Sequence, residues 1–199
     1  MQYKNFLYKK EQCPNPTSIV RAHGGMRLIG IEKEIDYLYK NVFREYQFLN
    51  PESSSVSWQI YDQIVITTNG LRSVNISDFS LIRNVDKTNV VYNGISDPDP
   101  MFPIHYYLHK EIVNSYSRYE CTVETECILF IGTTVAPQNI PIFHNKVLEE
   151  LSIQKGTKEI WTEICKRQDK IAFVEGVGIL IVGESLLHCI KKVRKIIFS

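Results

Sequence analysis

The strongest constraint on the fold lies near the C-terminal end, where two short apolar segments precede an amphipathic one. Ile171–Val174 and Ile179–Val182 are separated by four residues, two of which are glycines. Such closely spaced strands favour antiparallel pairing, because a parallel pair needs a connection of about a dozen residues. Ser185 is an N-cap residue, and apolar side chains recur after it at helical spacing. They are Leu186, Cys189, Ile190, Val193 and Ile197. The segment predicts two strands of a sheet and a helix that covers them.

The remaining apolar patterns predict helices and strands in irregular alternation. Helices are predicted over 31–46, from Pro103 onward with Ile104, Leu108 and Ile112 inward, and from an N-cap at Thr157 to Arg167. Strands are predicted at 63–67, 79–83, 89–92 and 121–131. Residues 50–55 are predicted to form a polar connector. These elements favour an α/β fold with a mixed, mostly antiparallel central sheet between two helical layers. We expect a single domain over residues 1–199, with an irregular segment at 1–29.

The charge and cysteine patterns exclude several classes of function. A net charge of +1 over 199 residues gives no concentrated basic surface, so we expect no nucleic-acid or membrane partner. The densest basic run, Lys191 to Lys195, is interpreted as the solvated face of the last helix. The sequence has neither a signal-peptide pattern nor about 18 consecutive apolar residues for a membrane span. Five cysteines without Cys-x-x-Cys spacing favour reduced thiols and a cytoplasmic protein.

The C-terminal third carries a family resemblance. Gly156–Ile160, Lys170–Val174 and Gly178–Leu186 together resemble the closing segment of the class II aldolase/adducin family. In that family a helix opened by Gly-Ser/Thr leads to an apolar strand, an Asn-His-Gly strand unit and a final helix. Earlier matches in the expected order are Ile64–Gly70, Ser77-Asp78, Met101–Ile112 and Ile140-Pro141. The resemblance covers roughly residues 30 to 198 and implies the aldolase/adducin-like α/β/α fold.

The same resemblance implies a chemistry whose residues are largely absent. Family enzymes hold zinc with three histidines, move protons with a glutamate and bind phosphate at three turns. Here Met101 stands at the glutamate position, Glu124-Thr125-Glu126 at the His-x-His and Val177 at the histidine of Asn-His-Gly. In the phosphate turns, Ser54–Ser57 replaces Gly-Asn-x-Ser and Asp99-Pro100 replaces the paired serines. Only Thr67, Thr68 and Gly70 match the family's phosphate-binding positions, and they are the predicted substrate-binding residues.

These losses favour a non-catalytic binding or assembly protein without a cofactor, as in adducins, which resemble this case by keeping the fold without aldolase activity. The alternative is a diverged sugar or sugar-phosphate lyase or isomerase. In it, Glu124 and Glu126, on one face of a strand, would join His105 and also Glu175 or His109 around Mg²⁺ or Mn²⁺. Zinc is disfavoured in both. The competing interpretation places both glutamates on a solvated face and makes His105 and His109 a structural pair.

Subunit contacts are the remaining expectation. Several of the eleven tyrosines lie in or near predicted helices, where such residues are typical of interfaces. They are Tyr37, Tyr39, Tyr46, Tyr106 and Tyr107. Since the family that the sequence resembles commonly forms fourfold tetramers, we expect a homo-oligomer or a complex with a protein partner.

Overall fold

A single sheet organises the computed structural model, which describes residues 7–10, 31–60, 63–68, 70–71, 78–85, 89–94, 96–117, 127–144 and 153–197. The strands are β1 Leu7–Lys10, β2 Asn50–Ile60, β3 Gln63–Thr67, β4 Phe79–Val85, β5 Asn89–Asn93, β6 Cys127–Gly132, β7 Ile142–Phe143, β8 Ile171–Val174 and β9 Gly178–Gly183. Their order in the described sheet is β1-β5-β4-β3-β2-β6-β9-β8-β7. The β1–β5 and β7–β8 pairs are parallel and the others antiparallel, which confirms the predicted mixed, mostly antiparallel sheet.

Helices cover both faces of this sheet. They are α1 Ile31–Leu38, α2 Phe102–Ser117, α3 Ile153–Ile164 and α4 Leu186–Ile197. All six residues of β6 are buried, and successive side chains of a strand point to opposite faces. Cys127, Leu129 and Ile131 pack with α1 and α4, whereas Ile128 and Phe130 pack with α2 and α3. The predicted three-layer α/β/α arrangement is therefore confirmed.

The helix ends follow local hydrogen bonding. Ser185 caps α4 as predicted, because its Oγ accepts the N–H of His188 at 3.2 Å. The prediction of an N-cap at Thr157 is wrong, since α3 begins at Ile153 and ends at Ile164. The Thr157 hydroxyl lies inside the helix and donates to the carbonyls of Ile153 and Gln154. The first helix is shorter than predicted: α1 continues as a π-helical turn, Tyr39–Phe43, and ends before Tyr46.

Two expectations about irregular segments are wrong. Residues 50–55 are not a connector but the first half of β2, which pairs with both β3 and β6. Serine suits this strand because its hydroxyl finds partners in the strand and across it: Ser54 Oγ donates to Asn50 O and accepts the N–H of Gly132 on β6. Near the N-terminus, Leu7–Lys10 forms a strand inside the segment expected to be irregular. The predicted strand at 121–131 is present from Cys127 onward, and residues 121–126 lie outside the described residues.

Two further observations concern the cysteines and the helix lengths. Cys127, Cys165 and Cys189 are free thiols, while Cys13 and Cys121 lie outside the described residues. Within the part of the chain that the structure describes, the helices are too short or too polar to cross a membrane.

Candidate functional site

A buried polar cluster lies between β2 and α2. Val56 and Trp58 of β2 face the α1 and α4 layer, so Ser55 and Ser57 point toward α2. Ser55 Oγ lies 2.8 Å from His105 Nε2. Ser57 Oγ lies 2.7 Å from His105 Nδ1 and 2.8 Å from His109 Nε2. His105 and His109 are four residues apart on α2 and therefore share one face of the helix.

Burial keeps both imidazoles of this cluster neutral. His105 is 0% exposed and His109 is 1% exposed. Burial, and then the neighbouring His109, hold the pKa of His105 well below its ordinary value. Burial lowers the pKa of His109 to about 3. His105 also packs edge-on against Phe130, with ring centroids 4.9 Å apart, and His109 Nδ1 has no hydrogen-bond partner in the described part of the chain. The pair has the surroundings of a structural core element.

A buried carboxyl group lies where α2 begins. Asp99 is 5% exposed, and its carboxylate accepts the backbone N–H of Met101 at 2.8 Å and a backbone hydrogen bond from Gly70. Burial raises the pKa of Asp99 to about 7, although both backbone N–H groups act in the opposite direction. The Asp99 N–H donates to Thr67 O at 3.1 Å. The chain thus places a carboxyl group that titrates near neutral pH just before α2, in contact with the turn that follows β3.

The predicted substrate-binding residues surround this carboxyl group. Thr67 Oγ1 accepts the N–H of Val56 at 3.2 Å. Thr68 Oγ1 is buried and has no hydrogen-bond partner among the described residues. Gly70 has a φ of +75°, and a Cβ there would lie 2.7 Å from Pro51 O, so no other residue fits without strain. Thr67, Thr68 and Gly70 do come together, and their role in binding stays a prediction.

The positions that the resemblance assigns to metal binding and proton transfer differ in their burial and in their contacts. Met101 is half-buried, and Val177 is 8% exposed in the apolar cluster on the α2 and α3 face. Glu175 Oε2 lies 2.8 Å from Nδ1 of the exposed His144. Glu124 and Glu126 lie outside the described residues, so the proposed carboxylate cluster stays a prediction. Among the residues that the structure does describe, no group of three or more His, Cys, Asp or Glu side chains is placed to hold a metal ion.

Sequence reasoning missed the serine–histidine contacts and the role of Asp99. The signal for the first was available: Ser55 and Ser57 alternate with Val56 and Trp58 at the period of a strand with both faces buried. Hydroxyl groups on a buried face require polar partners, and His105 and His109 were the candidates at helical spacing. The Asp99 contacts had no comparable signal, since they depend on how the turn at Gly70 folds.

Comparison with known proteins identifies the fold. No family model and no curated protein sequence matches the chain. Among solved structures, it is similar to a sugar-phosphate aldolase from Thermotoga maritima, with a TM-score of 0.56, 14% identity, and coverage of 87% of this chain and 92% of that one. It is also similar to an aldolase II superfamily protein from Pseudomonas syringae, with a TM-score of 0.56, 11% identity, and coverage of 90% of this chain and 76% of that one. For YgbL, a putative aldolase/epimerase/decarboxylase from Escherichia coli, the TM-score is 0.54, the identity 10%, and the coverage 90% of this chain and 85% of that one. The chain has the class II aldolase fold.

Proposed function

We propose that this chain uses a class II aldolase fold as a non-catalytic binding or assembly domain. The observation that carries the proposal is the set of internal hydrogen bonds around Asp99. The segment from Thr67 to Leu71 and the Asp99 carboxyl group that it contacts are called the Asp99 turn. The Asp99 carboxylate accepts the N–H groups of Gly70 and Met101, at a place where the family resemblance predicts phosphate binding. The chain's own anion therefore takes backbone donors that a phosphate group would need.

Charge argues in the same direction. With a pKa of about 7, Asp99 carries a partial negative charge at neutral pH, and a nearby phosphate would be repelled by roughly a kcal/mol or more. The other donors of the turn are also used: Leu71 N–H donates to Pro51 O at 2.7 Å and Thr68 N–H to Asp78 O at 3.0 Å. Among the described atoms of this turn, the Thr68 hydroxyl is the buried polar group that lacks a partner.

The residues that the structure describes at the aligned positions do not fit the zinc that the fold family implies. Zinc in proteins is held by imidazole, thiolate or carboxylate groups, whereas Val177 offers an apolar side chain inside a hydrophobic cluster. His105 is not available either, because both of its ring nitrogens are bonded to serine hydroxyls. The thioether of Met101 cannot exchange protons.

The binding or assembly part of the proposal rests on surface composition and on the fold. Among the described residues, one large apolar side chain is exposed on each of α1 and α4: Tyr37 at 39% and Leu187 at 41%. Tyrosine at the core of an interface combines apolar area with a polar tip. We propose a homo-oligomer or a complex with a protein partner, and no nucleic-acid or membrane partner.

The test is metal content measured together with assembly. The purified protein is dialysed against Zn²⁺, Mn²⁺ or Mg²⁺ and analysed for bound metal. Glu124→Ala and Glu126→Ala are compared with Glu159→Ala and Glu163→Ala, which remove charges from the exposed side of α3. We expect no stoichiometric metal in any of these proteins, and sedimentation as an oligomer or as a complex with a partner.

One metal ion per chain, lost in Glu124→Ala and Glu126→Ala but kept in the α3 variants, would overturn the proposal. That result would establish the alternative, a diverged sugar or sugar-phosphate enzyme with a carboxylate-built Mg²⁺ or Mn²⁺ site. The proposed oligomer or complex is tested separately, because the sedimentation coefficient is measured on metal-free protein.

A further inference from the structure

A large cleft lies on the sheet face that α4 covers, away from the Asp99 turn. It has a volume of about 850 Å³ and lies between the loop at 138–140, the turn at 167–169 and α4. Small-molecule sites commonly have volumes of about 300 to 1,000 Å³. The cleft adjoins β8, whereas the Asp99 turn adjoins β3, and three strands separate β8 from β3 in the sheet. At about 4.8 Å per strand, these two strands lie about 19 Å apart.

One side of the cleft is a basic stripe of α4. His188, Lys191, Lys192 and Lys195 line it, and their spacing of three, four and seven residues places them on one helical face. The basic run from Lys191 to Lys195, predicted to be a solvated face, therefore has two orientations, with its lysines at the cleft and Arg194 outside it. Arg194 points elsewhere and donates to Tyr37 Oη at 3.4 Å, while the three lysines converge on the cleft.

Lys192, in the middle of the basic stripe, is bonded to the backbone of β9. Lys192 Nζ donates to the carbonyl of Val182 at 2.8 Å. Burial lowers the pKa of the Lys192 ammonium group, and the nearby Lys170 adds to the decrease. Burial also lowers the pKa of His188, and Lys192 lowers it further. Glu184 Oε2 lies 3.8 Å from His188 Nδ1. Positive charge therefore exceeds negative charge along this stripe.

The opposite wall supplies only one acid, which already has a partner. Arg167 Nε donates to Asp169 Oδ1 at 3.0 Å, and Arg167 Nη2 donates to Asp169 Oδ2 at 2.8 Å. This two-point contact is the geometry that guanidinium and carboxylate groups prefer. Lys191 and Lys195 make no ion pair with any residue that the structure describes. Their charges are available to a ligand.

The backbone around the cleft is also unusual. Asn139 has a φ of 64° and Lys170 has a φ of 49°, and they are the non-glycine residues with positive φ in the described ranges. Asn139 lines the cleft and its carbonyl accepts a hydrogen bond from Arg167 Nη2 at 3.3 Å. Lys170 lies between the lining residues Asp169 and Ile171. Left-handed conformations in such residues cost energy and cluster at functional sites.

We propose that this cleft binds a soluble phosphate ester with two or more negative charges. Lysines bind phosphate as point charges, and the one guanidinium in the cleft is already paired with Asp169. Ile140, Ile171 and Ile196 also line the cleft, and these apolar side chains suit the organic part of an ester. The cleft is separate from the Asp99 turn, so this inference does not rest on the proposed function.

The experiment is isothermal titration of the full chain with adenosine triphosphate and with inorganic triphosphate as probes. Lys191→Ala/Lys195→Ala is compared with Lys155→Ala/Lys158→Ala, which removes the same charge from α3. All four lysines are exposed, so the variants should fold, and thermal melting checks this. We expect the α4 double variant to bind adenosine triphosphate about tenfold more weakly, the α3 double variant to bind as wild type does, and the affinity to fall with added salt.

Three outcomes would overturn the proposal. Equal weakening in both double variants would indicate general electrostatic attraction. Inorganic triphosphate binding as tightly as the nucleotide would remove the role of the apolar wall. Binding to vesicles of phosphatidylserine, without binding to either soluble probe, would assign the stripe to a lipid surface.

Discussion

The two faces of the central sheet are covered in different ways, and β2 shows the difference within one strand. Toward α1 and α4 it presents Val56 and Trp58, which join an apolar cluster. Toward α2 it presents Ser55 and Ser57, whose hydroxyl groups contact buried imidazoles. The first face is stabilised by area removed from water. The second depends on the hydrogen bonds between its serines and histidines, because an unsatisfied buried group costs about 1 to 3 kcal/mol.

This difference teaches that a buried face can be polar when its hydroxyl and imidazole groups contact one another. Ser55, Ser57, His105 and His109 on the α2 side are buried and bonded to one another, and among these described side chains His109 Nδ1 is the atom left without a partner. A substitution on the α4 side should cost energy in proportion to the volume removed, and one on the α2 side in proportion to the partners left unpaired. The predictions below test that distinction.

The largest effect is expected at Asp99, on the α2 side. Its pKa is raised from 3.8 to about 7, so between these pH values the native state holds a proton that the unfolded chain has lost. The contribution of Asp99 to stability is therefore fully present below pH 3.8 and is lost as the pH rises to about 7. Asp99→Asn does not titrate. The difference in unfolding free energy between wild type and variant should change by about 4 kcal/mol over this range, measured by urea denaturation at several pH values.

The buried histidines change stability with pH in the opposite direction to Asp99. For this reason the measured quantity is the difference in unfolding free energy between wild type and Asp99→Asn. The pKa values of His105 and His109 are lowered from 6.5, so their contribution is present above that pH and is lost on acidification. Both proteins contain both histidines, and this contribution cancels. A difference that stays constant with pH would show that the Asp99 carboxyl is not buried as described.

On the apolar side, Ile190→Ala should reduce the free energy of unfolding by about 3 kcal/mol, since it leaves a cavity under α4. Ile190 is 1% exposed. Leu187→Ala is the matched control on the same helix, because Leu187 is 41% exposed, and should change stability by less than about 0.5 kcal/mol. Equal losses in the two variants would mean that α4 does not bury the stripe that contains Ile190.

On the polar side, Ser57→Ala should cost about 2 kcal/mol although it removes a single oxygen atom. The loss leaves His105 Nδ1 and His109 Nε2 without their partner. Ser53→Ala on the same strand serves as control, because Ser53 is exposed. If Ser57→Ala were as mild as Ser53→Ala in chemical denaturation, the α2 face would not depend on polar pairing.

The smallest effect is expected at the start of α4. Ser185→Ala removes the acceptor for the His188 N–H and should cost about 1 kcal/mol. Ser185→Asp keeps a capping oxygen and should retain the wild-type midpoint of thermal unfolding. A loss in the aspartate variant equal to that in the alanine variant would show that the cap does not stabilise α4.

The sequence predicted the fold where apolar periodicity and local signals agreed. The strands at Ile171–Val174 and Gly178–Gly183, and the helix after Ser185, were recognisable because their side chains are apolar and their cap is local. β2 was mistaken for a connector because serine resembles a loop residue until its hydrogen-bond partners are known. Thr157 was mistaken for an N-cap because a threonine hydroxyl can bond equally well inside a helix.

The candidate sites were less predictable, because they depend on contacts between distant segments. The bonds from Ser57 to His105 and His109 join residues 48 and 52 positions apart. The basic stripe of α4 was visible in the sequence, but the cleft beside it requires the loop at 138–140 and the turn at 167–169 to meet. The sequence pattern names such residues, and the tertiary fold decides which of them share a site.

The position of Ser57 between two imidazoles has a consequence for proton order. Ser57 has one hydrogen atom and faces two ring nitrogens, so it can donate to only one of the two rings while it accepts from the other. If His109 donates through Nε2, Ser57 must donate to His105 Nδ1, and His105 then carries its own hydrogen on Nε2. If the direction reverses, both rings carry the hydrogen on Nδ1. Whenever Ser57 donates to one of the two rings and accepts from the other, the two histidines therefore share the same tautomer.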